Sequence, residues 1–378
     1  MRPETEAELA GIISGANGPL CVCGAGTRGL AVAGERLETG GLSGISLYEP
    51  GALTMVAGAG TPLAEIEAAL AAEGQMLAFE PHDLAAVTGA AGASTIGGVF
   101  ATNASGPRRV QAGAARDFLL GVRFVDGSGN IVKNGGRVMK NVTGYDLVKL
   151  MAGSHGTLGV VTEVSFKVLP QPETQASLMI HGPEGAEAVA LMSRALGSPY
   201  DVTGAFHRSR DASGHPATFL RLEGFAGSVA YRTGQLRALL APLLPEGQGH
   251  DIVAIDDPDQ VDRHWRAIRH LDDHRATRFD LWRVTCKPGD APALAARLPG
   301  GFGHSLDWGG GLIWGVTEPG TDLRAALGRH EGSATLVHAP VGSGLHRFRS
   351  EPAAFARLTA GLRAQFDPRG ILNRGLMG

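Results

Sequence analysis

The spacing of apolar and polar residues predicts helices and strands in alternation along the chain. After Thr61, a suitable N-cap, and Pro62, which suits the first helical position, Leu63, Ile66 and Leu70 fall on one face of a helix. This segment therefore predicts an amphipathic helix that packs against a core.

The pattern changes to that of strands in the stretch that follows. Apolar segments over 118–125 and 131–132 flank a glycine turn and predict a hairpin. Apolar and polar residues alternate over 163–168, which predicts a half-buried strand that Pro170 ends.

A domain boundary is predicted at residues 170–174, Pro-Gln-Pro-Glu-Thr, because two prolines in so short a stretch disfavour both helix and central strand. Beyond it the pattern predicts helices near 184–197, 226–244, 258–274 and 352–366, and strands near 217–223, 279–285 and 311–317. This is an α+β arrangement of a sheet covered by helices. We expect domains at 1–171 and 172–340, with a C-terminal segment at 341–378.

Composition excludes several classes of function. Charged residues make up 19% of the chain and the net charge is −3, which argues against a nucleic-acid or polybasic membrane footprint. The 3 cysteines indicate a reducing compartment. The acidic N-terminus lacks the pattern of a signal peptide, and no apolar stretch reaches the roughly 18 residues of a membrane span. We therefore expect a cytoplasmic protein without a membrane span.

Glycine is the unusual component. There are 56 glycines in 378 residues, about twice the average share of roughly 7%. They cluster in the first half between ordinary apolar segments rather than in low-complexity repeats. Such density allows close backbone approach and favours a bound ligand.

One cluster, Gly24-Ala25-Gly26-Thr27-Arg28-Gly29, matches the dinucleotide-binding pattern G-x-G-x-x-G after an apolar run. A Rossmann unit also needs a helix that starts at this loop. The following residues contain Gly34, Gly40, Gly41 and Gly44, and each glycine costs about 1 kcal/mol inside a helix. We therefore reject the Rossmann unit and retain a loop of backbone N–H groups that holds phosphate.

Two further elements of small residues support a large, extended cofactor. Residues 94–106 combine glycines with hydroxyl side chains, which can lie against a ligand and donate hydrogen bonds. A tight helix packed on its small residues is the alternative explanation of that element. Residues 153–161 form the third element and lead into the predicted strand.

These three elements, in this order, resemble the FAD-binding domain of vanillyl-alcohol oxidase and p-cresol methylhydroxylase (PCMH). Within that superfamily the chain is similar to the family of FAD-binding accessory (E) subunits of bacterial glycolate oxidase. The stretches that carry this resemblance are 61–77, 105–109, 115–129, 138–170, 281–283, 307–310 and 366–377. The resemblance implies an α+β fold with a two-lobed PCMH-type FAD-binding domain, an α+β cap domain and a C-terminal segment that returns to the flavin.

The resemblance also assigns residues to FAD. The backbone of the loop would hold the pyrophosphate through Gly24, Ala25, Gly26, Thr27, Arg28 and Gly29. The ribityl chain and phosphates would be lined by Thr95, Gly97, Gly98, Asn103 and Gly106. Val160 and Val161 would meet the adenine side through their main chain, and Asn373 would approach the isoalloxazine. Pro81 would lie at the junction of the two lobes. We expect non-covalent FAD, because no histidine lies near the loop and Cys21 and Cys23 precede it on a strand.

Related 2-hydroxy-acid dehydrogenases resemble one another in a His-x-Gly-Asp-Gly-Asn run, which this chain lacks. The comparable stretch, 338–346, has no Asp or Asn, and three cysteines cannot hold a four-cysteine cluster. The resemblance therefore implies a subunit that serves electron transfer or assembly. Glycolate would be oxidised mainly on a partner flavoprotein, beside an iron–sulfur subunit that would be a further partner.

Two alternatives stay open. The first is a self-sufficient FAD-dependent dehydrogenase of glycolate or D-lactate, with Arg283 on the carboxylate and His338 or His346 as base. The second is a structural subunit whose FAD site has lapsed.

Other polar residues have plainer interpretations. Arg283 is expected to be an exposed arginine stacked on a neighbour. The pair Arg221 and Glu223 is expected on a solvated face, and the pair Arg108-Arg109 on either a cofactor phosphate or a partner subunit. Tyr145 would either pack at a helix start or reach the flavin edge. We expect no metal at His270 and His274, whose pattern predicts a polar helix face.

Overall fold

The computed structural model describes residues 1–29, 32–137, 144–210, 214–244, 250–275, 277–340 and 342–377. Contacts divide the chain into two compact units. The first unit comprises 1–105, 113–171 and 350–378, and the second comprises 106–112 and 172–349. The chain thus changes unit at the proline-rich segment, and a short piece of the N-terminal sequence belongs to the second unit.

The first unit combines short helices with small sheets. Its helices are α1 (Glu6–Gly15), α2 (Leu63–Ala72), α3 (Ala85–Thr88), α4 (Ile96–Ala101), α6 (Ala115–Phe118), α7 (Leu147–Met151) and α13 (Ala353–Phe366). Its strands are β1 (Leu20–Cys23), β2 (Glu35–Glu38), β3 (Ile45–Glu49), β4 (Thr54–Gly58), β5 (Gln75–Met76), β6 (Leu119–Val125), β7 (Ile131–Gly135), β8 (Val160–Lys167) and β9 (Leu169–Pro170).

Two sheets frame the first unit. Strands β1 and β2 pair in parallel, while β3-β4-β8-β6-β7 form an antiparallel sheet in that order. The predicted hairpin is the pair β6 and β7. The segment after β1 forms a loop and then β2 rather than a helix, so the rejection of a Rossmann unit is confirmed over the described residues.

The second unit is an eight-stranded antiparallel sheet with helices. Its helices are α5 (Arg109–Ala112), α8 (Gly185–Leu196), α9 (Ala226–Leu240), α10 (Pro258–Arg269), α11 (Ala291–Ala295) and α12 (Leu323–Leu327). Its strands are β10 (Thr174–His181), β11 (Val202–Arg208), β12 (Ala217–Gly224), β13 (Asp251–Ile255), β14 (Asp280–Thr285), β15 (Ser305–Asp307), β16 (Leu312–Thr317) and β17 (Ser333–His338). The strand order is β13-β10-β12-β11-β15-β16-β14-β17.

Local details correct the sequence-based expectations. Thr61 does not cap α2, because Pro62 is the N-cap. The Thr61 hydroxyl instead accepts from the Gly44 amide at 2.9 Å and lies within donating distance of the Gly58 and Gly44 carbonyls, at 2.7 and 3.2 Å. Pro170 does not end the strand region either, because it lies in β9, paired with β5. Thr61 therefore binds Gly44, and Pro170 pairs with Gln75, which are both distant in sequence.

The predicted helix over 258–274 is shorter than expected. It ends at Arg269, and Leu271 adopts a left-handed conformation with φ 56°. His270 and His274 therefore lack the helical i, i+4 spacing on which a shared face depends.

The prediction that Arg221 and Glu223 lie on a solvated face of β12 was wrong. Arg221 and Glu223 are 2% and 7% exposed. Both sides of this strand are covered, since seven of the eight residues in Ala217–Gly224 are buried.

None of the helices in the described part of the chain has the length and apolar character needed to cross a bilayer.

Candidate functional site

A cleft in the first unit is built from the three glycine-rich elements. Together with the open solvent at its mouth, it spans about 680 Å³. Its lining consists of Val22, Cys23, Gly24, Ala25, Gly26, Thr27, Arg28, Thr39, Ala59, Thr95, Gly97, Gly98, Ala101, Thr102, His155, Gly156, Gly159, Val160 and Val161. Segments far apart in sequence therefore meet around one concave surface, the usual setting of a ligand site.

The loop after β1 supplies backbone donors to this cleft. The N–H groups of Ala25, Gly26 and Thr27 have no hydrogen-bond acceptor among the described residues. Gly26 has φ +75°, a conformation that favours glycine. Successive unpaired N–H groups in such a loop make a concave site for anionic oxygens.

A buried hydroxyl network holds the loop in position. The Thr27 and Ser94 hydroxyls are 3.0 Å apart, and Ser94 donates to the Asp83 carboxylate at 2.8 Å. Because the Ser94 proton is committed to Asp83, Thr27 must donate to Ser94. The Thr88 hydroxyl donates to the Thr27 carbonyl at 3.0 Å. Hydrogen bonds thus hold both the side chain and the carbonyl of Thr27.

Glycines in the second element permit close packing. A Cβ at Gly24 would lie 2.3 Å from the Thr95 hydroxyl oxygen. A Cβ at Gly97 would lie 2.5 Å from the Ala59 Cβ and 2.7 Å from its carbonyl oxygen. The Gly97 amide donates to that same carbonyl at 2.9 Å, which fixes α4 against the end of β4.

The third element is fastened by the C-terminal segment. The Asn373 side chain accepts from the Val22 amide at 2.7 Å and donates to the Val22 and His155 carbonyls at 3.1 and 2.8 Å. Asn373 is 2% exposed. Its amide therefore joins β1 to the loop that carries His155, and both of these line the cleft.

Two titratable groups of the cleft, Arg28 and Cys23, have shifted pKa values. Burial lowers the pKa of the Arg28 guanidinium to about 10, with Asp83 opposing the shift, and Arg28 donates to the His82 carbonyl at 3.3 Å. Burial raises the pKa of the Cys23 thiol above its ordinary value, against the influence of Arg36. At neutral pH the cleft thus holds a cationic guanidinium and a protonated thiol.

The candidate catalytic arginine lies in the second unit. Arg283, on β14, stacks on the Trp308 ring at 5.1 Å, and Arg109 stacks on the same ring at 4.6 Å. Burial and the charge of Arg109 lower the pKa of Arg283 to about 10, while Asp307 opposes the shift. The Arg283 guanidinium makes no hydrogen bond to another residue of the described chain. The stacking was expected, whereas the burial was not.

The two candidate histidines differ in environment. His338 ends β17, and burial lowers its pKa against the influence of the Thr277 backbone and Asp280. His346 is exposed, and its carbonyl accepts from Arg324 at 2.8 Å. Within the comparable stretch 338–346, residue 341 lies outside the described residues.

Comparison with known proteins identifies the family. A family model described as "FAD binding domain" matches residues 1–135. The glycolate oxidase subunit GlcE of Escherichia coli K12 is 34% identical over 373 residues, which cover 95% of this chain and 92% of that protein. The chain belongs to the GlcE family.

Two further comparisons concern a part of the sequence and the fold. The glycolate oxidase subunit GlcD of Bacillus subtilis is 45% identical over 86 residues, covering 23% of this chain and 18% of that protein. A structure of alkyldihydroxyacetonephosphate synthase aligns with TM-score 0.72 at 14% identity, covering 99% of this chain and 76% of that one. The predicted α+β, PCMH-type fold and the assignment to FAD-dependent oxidoreductases are confirmed.

The residues of this GlcE-family chain fit FAD. The unpaired amides of 25–27 suit a pyrophosphate, and Arg28 supplies a positive charge beside them. The glycines at 24 and 97 leave no room for a side chain, so the backbone itself forms that part of the cleft. The lining is thus one of main chain and small side chains, as an extended cofactor needs.

The structure brings together most of the predicted FAD residues. Those on the cleft lining are Gly24, Ala25, Gly26, Thr27, Arg28, Thr95, Gly97, Gly98, Val160 and Val161. Those outside the lining are Gly29, Pro81, Asn103, Gly106 and Asn373. Gly106 belongs to the second unit, where its carbonyl accepts from the Trp308 indole at 3.0 Å.

Some lining residues escaped the sequence analysis. Ala59 and Thr39 lie beside glycines but outside the three elements singled out above, and strand pairing brings them to the cleft. His155 belongs to the third element and was not predicted as a site residue, although its φ of 52° is uncommon for a residue other than glycine. The family stretch 138–170 begins with residues 138–143, which lie outside the described residues.

Other expectations are also resolved. Arg108 was expected on a cofactor phosphate or a partner subunit, but it forms a bidentate pair with Glu223. Arg109 lies over the Trp308 ring. Tyr145 is 88% exposed, and Asp146 caps α7 beside it.

Proposed function

We propose that this chain is the FAD-binding subunit of a glycolate oxidase complex. In this proposal it contributes to electron transfer or assembly, and glycolate is oxidised mainly on a partner flavoprotein. The observation that carries the proposal is a cleft suited to FAD whose lining, over the described residues, contains neither Asp nor Glu. The cleft can bind the cofactor but offers no carboxylate base.

Oxidation of a 2-hydroxy acid requires a base for the hydroxyl proton and a cation for the carboxylate. FAD, when bound, supplies the two-electron acceptor. Arg28 is a cation, but its guanidinium is engaged with the His82 carbonyl. The Cys23 thiol is kept protonated by its raised pKa and so does not serve as a base at neutral pH.

In this proposal each element of the cleft has a binding role. The amides of 24–28 hold the pyrophosphate, and Thr95, Gly97 and Gly98 line the ribityl chain. Val160 and Val161 meet the adenine side through their main chain. Asn373 acts indirectly, since its amide fastens the walls at Val22 and His155.

We further propose that the FAD is bound non-covalently. Cys23 and His155 are the cysteine and histidine on the described lining. Attachment through sulfur requires a thiolate, and the raised pKa of Cys23 opposes its formation.

The proposed setting is the cytoplasm, in a complex with a partner flavoprotein and an iron–sulfur subunit. The three cysteines are free in the structure, in keeping with a reducing compartment. Any association with a membrane would come from the partner subunits.

The visible spectrum of the purified chain, before and after anaerobic addition of glycolate or D-lactate, tests the proposal. We expect a flavin spectrum that does not bleach with either acid, and a flavin that is released completely by denaturation. Colourless protein after reconstitution with excess FAD would contradict cofactor binding. Flavin that stays with the denatured chain would contradict only its non-covalent attachment.

A self-sufficient dehydrogenase is the second candidate, and the environment of Arg283 favours it. Its guanidinium lies beside a like charge, Arg109, without a hydrogen-bonded partner among the described residues, which suits it to a substrate carboxylate. In this alternative His338 or His346 would be the base. Rapid bleaching by glycolate that is lost in Arg283→Ala, with FAD still bound, would establish this candidate in place of the first.

A further inference from the structure

A second cavity lies within the second unit, at one end of its sheet. It is formed where β11 and β16 end and where β14 and β15 begin, and these four strands are neighbours in the sheet. Together with the open solvent at its mouth, it spans about 1130 Å³. Over the described residues, its lining shares no residue with the cleft of the first unit and does not include Arg283. FAD binding and the candidate role of Arg283 therefore leave this cavity unexplained.

Arginines dominate the polar part of its lining. They come from two segments that are distant in sequence, the end of β11 and the loop that precedes β14. The four are Arg208, Arg210, Arg275 and Arg278. Guanidiniums that converge on a concave surface form a positive site for an anionic ligand.

Carboxylates balance only part of this charge. The Nε atom of Arg208 lies 2.8 Å from Oδ2 of Asp273, and Nε of Arg275 donates to Asp272 at 2.8 Å. The other two arginines have no ion pair with another described residue. The excess of four guanidiniums over two carboxylates is therefore about two positive charges.

Histidine adds no positive charge to the cavity at neutral pH. His274 and His304 both belong to the lining. Burial lowers the pKa of each below the ordinary histidine value. Neutral imidazoles still offer one N–H donor each, so the positive charge of the cavity is that of its guanidiniums.

Arg208 is held in place for binding. Its side chain is 22% exposed, and its guanidinium lies over the rings of Phe206 and Phe219 at 5.8 and 6.0 Å. Its terminal amino groups make no hydrogen bond to another described residue. A planar guanidinium that is packed on aromatic rings loses little freedom when it binds an anion.

The cavity also has an apolar part. Phe279 and Phe302 are half-buried, and their ring centroids lie 4.5 Å apart. Val316 is a buried residue of the same lining, and the Arg278 guanidinium lies over the Phe279 ring at 5.1 Å. An organic group can therefore pack on these side chains while its charged end contacts the arginines.

We infer that this cavity binds a small organic molecule that carries a phosphate monoester. Such a group has a charge of about −1.5 to −2 near neutral pH and three acceptor oxygens. Its charge matches the excess of about two cations, and its tetrahedral oxygens can accept from guanidiniums of both segments. A carboxylate is planar and carries one charge, so it would leave part of the excess unbalanced. The organic part of the ligand would lie against Phe279 and Phe302.

Isothermal titration calorimetry of the FAD-loaded chain with phenyl phosphate, at low ionic strength, tests the inference. FAD in the cleft keeps the probe from the amides of 25–27. We expect Arg208→Gln and Arg278→Gln each to weaken binding about tenfold or more, since each removes a charge-assisted hydrogen-bond donor. Arg237→Gln, at an exposed site on α9 outside the lining, removes the same charge and should bind like the wild type.

Two further probes test the chemistry of the ligand. Inorganic phosphate should bind several-fold more weakly than phenyl phosphate, because it lacks the ring that packs on Phe279 and Phe302. Benzoate has the ring but a single charge, and it should bind more weakly still. Benzoate that binds as tightly as phenyl phosphate would overturn the assignment to a phosphate.

The remaining outcomes concern the site itself. Phenyl phosphate that does not bind the wild type, or binds it and both cavity variants equally, overturns the inference. Circular dichroism at the wild-type level establishes that the variants are folded, and Arg278→Gln, at an exposed residue, provides the measurement if Arg208→Gln is not. If the chain takes up no FAD, the same variants are compared on the apoprotein, because both substitutions lie outside the cleft. The flavin spectrum tests the proposed function independently of this site.

Discussion

At the scale of single residues, burial of charge decides roles that residue type does not. Glu223 receives the Arg108 guanidinium in a bidentate pair, and Arg221 lies 3.5 Å from the same carboxylate. Arg221 also stacks on the Trp265 ring at 4.4 Å. One carboxylate thus serves two buried guanidiniums and holds residues 106–112 within the second unit.

Removing that carboxylate should be costly. Glu223→Gln keeps the shape but removes the carboxylate charge that both buried guanidiniums contact, so we expect the free energy of unfolding to fall by about 3–5 kcal/mol. Urea unfolding followed by tryptophan fluorescence measures this. Glu331→Gln removes an exposed partner of Lys287 and should change stability little. Equal small effects for the two variants would contradict the role of Glu223.

At the scale of elements, the position of α4 depends on a glycine at a close approach. The Gly97 amide bonds the Ala59 carbonyl, and a Cβ there would collide with backbone atoms that cannot move aside. The N-terminal turn of α4 carries Gly97 and Gly98 on the cleft, so any displacement of α4 alters the cleft itself.

Gly97→Ala should therefore disturb stability and cofactor binding together. We expect the free energy of unfolding to fall by about 1–3 kcal/mol from overpacking, and the affinity for FAD to fall with it. Denaturant unfolding and FAD titration of the apoprotein check the two effects. Gly227→Ala, on α9, meets no atom within 4 Å and should leave FAD binding unchanged. FAD affinity that is the same in both variants would show that α4 does not shape the site.

Helices and strands with a regular apolar pattern were predicted well, but the residues at which they end were not. The apolar spacing identified α2, α8 and α9 and the hairpin of β6 and β7. The end of α10 was missed because Leu271 turns into a left-handed conformation that only surrounding packing can impose. The amphipathic pattern of α13 predicted a helix correctly, yet its apolar side chains are exposed.

At the scale of the whole molecule, the second unit concentrates acid-sensitive histidines. Burial lowers the pKa of His207 to about 4, with His304 adding to the shift. Burial also lowers the pKa values of His264, His274, His304 and His338. These side chains are neutral in the folded unit and gain protons on unfolding at mildly acidic pH.

The stability of the second unit should therefore fall as pH falls. Between pH 6.5 and about 4 the unfolded chain binds a proton that folded His207 does not, so stability increases with pH in this window. We expect His207 alone to cost about 2 kcal/mol at pH 5.0 relative to pH 7.5. Urea unfolding at the two pH values measures the loss, and His207→Gln should reduce it. An unchanged pH dependence in that variant would contradict the assignment to His207.

The sequence by itself determined the family, the glycine-rich elements and most periodic elements. Each of these depends on local composition, spacing or a run of residues that is specific to the fold. Tertiary structure alone decided that 106–112 joins the second unit, that Arg221 and Glu223 are buried, and that Asn373 fastens β1 to the His155 loop. These outcomes depend on hydrogen bonds and ion pairs between residues far apart in the chain. Local pattern carries no information about such pairs, because their energy appears only when the fold brings the groups together.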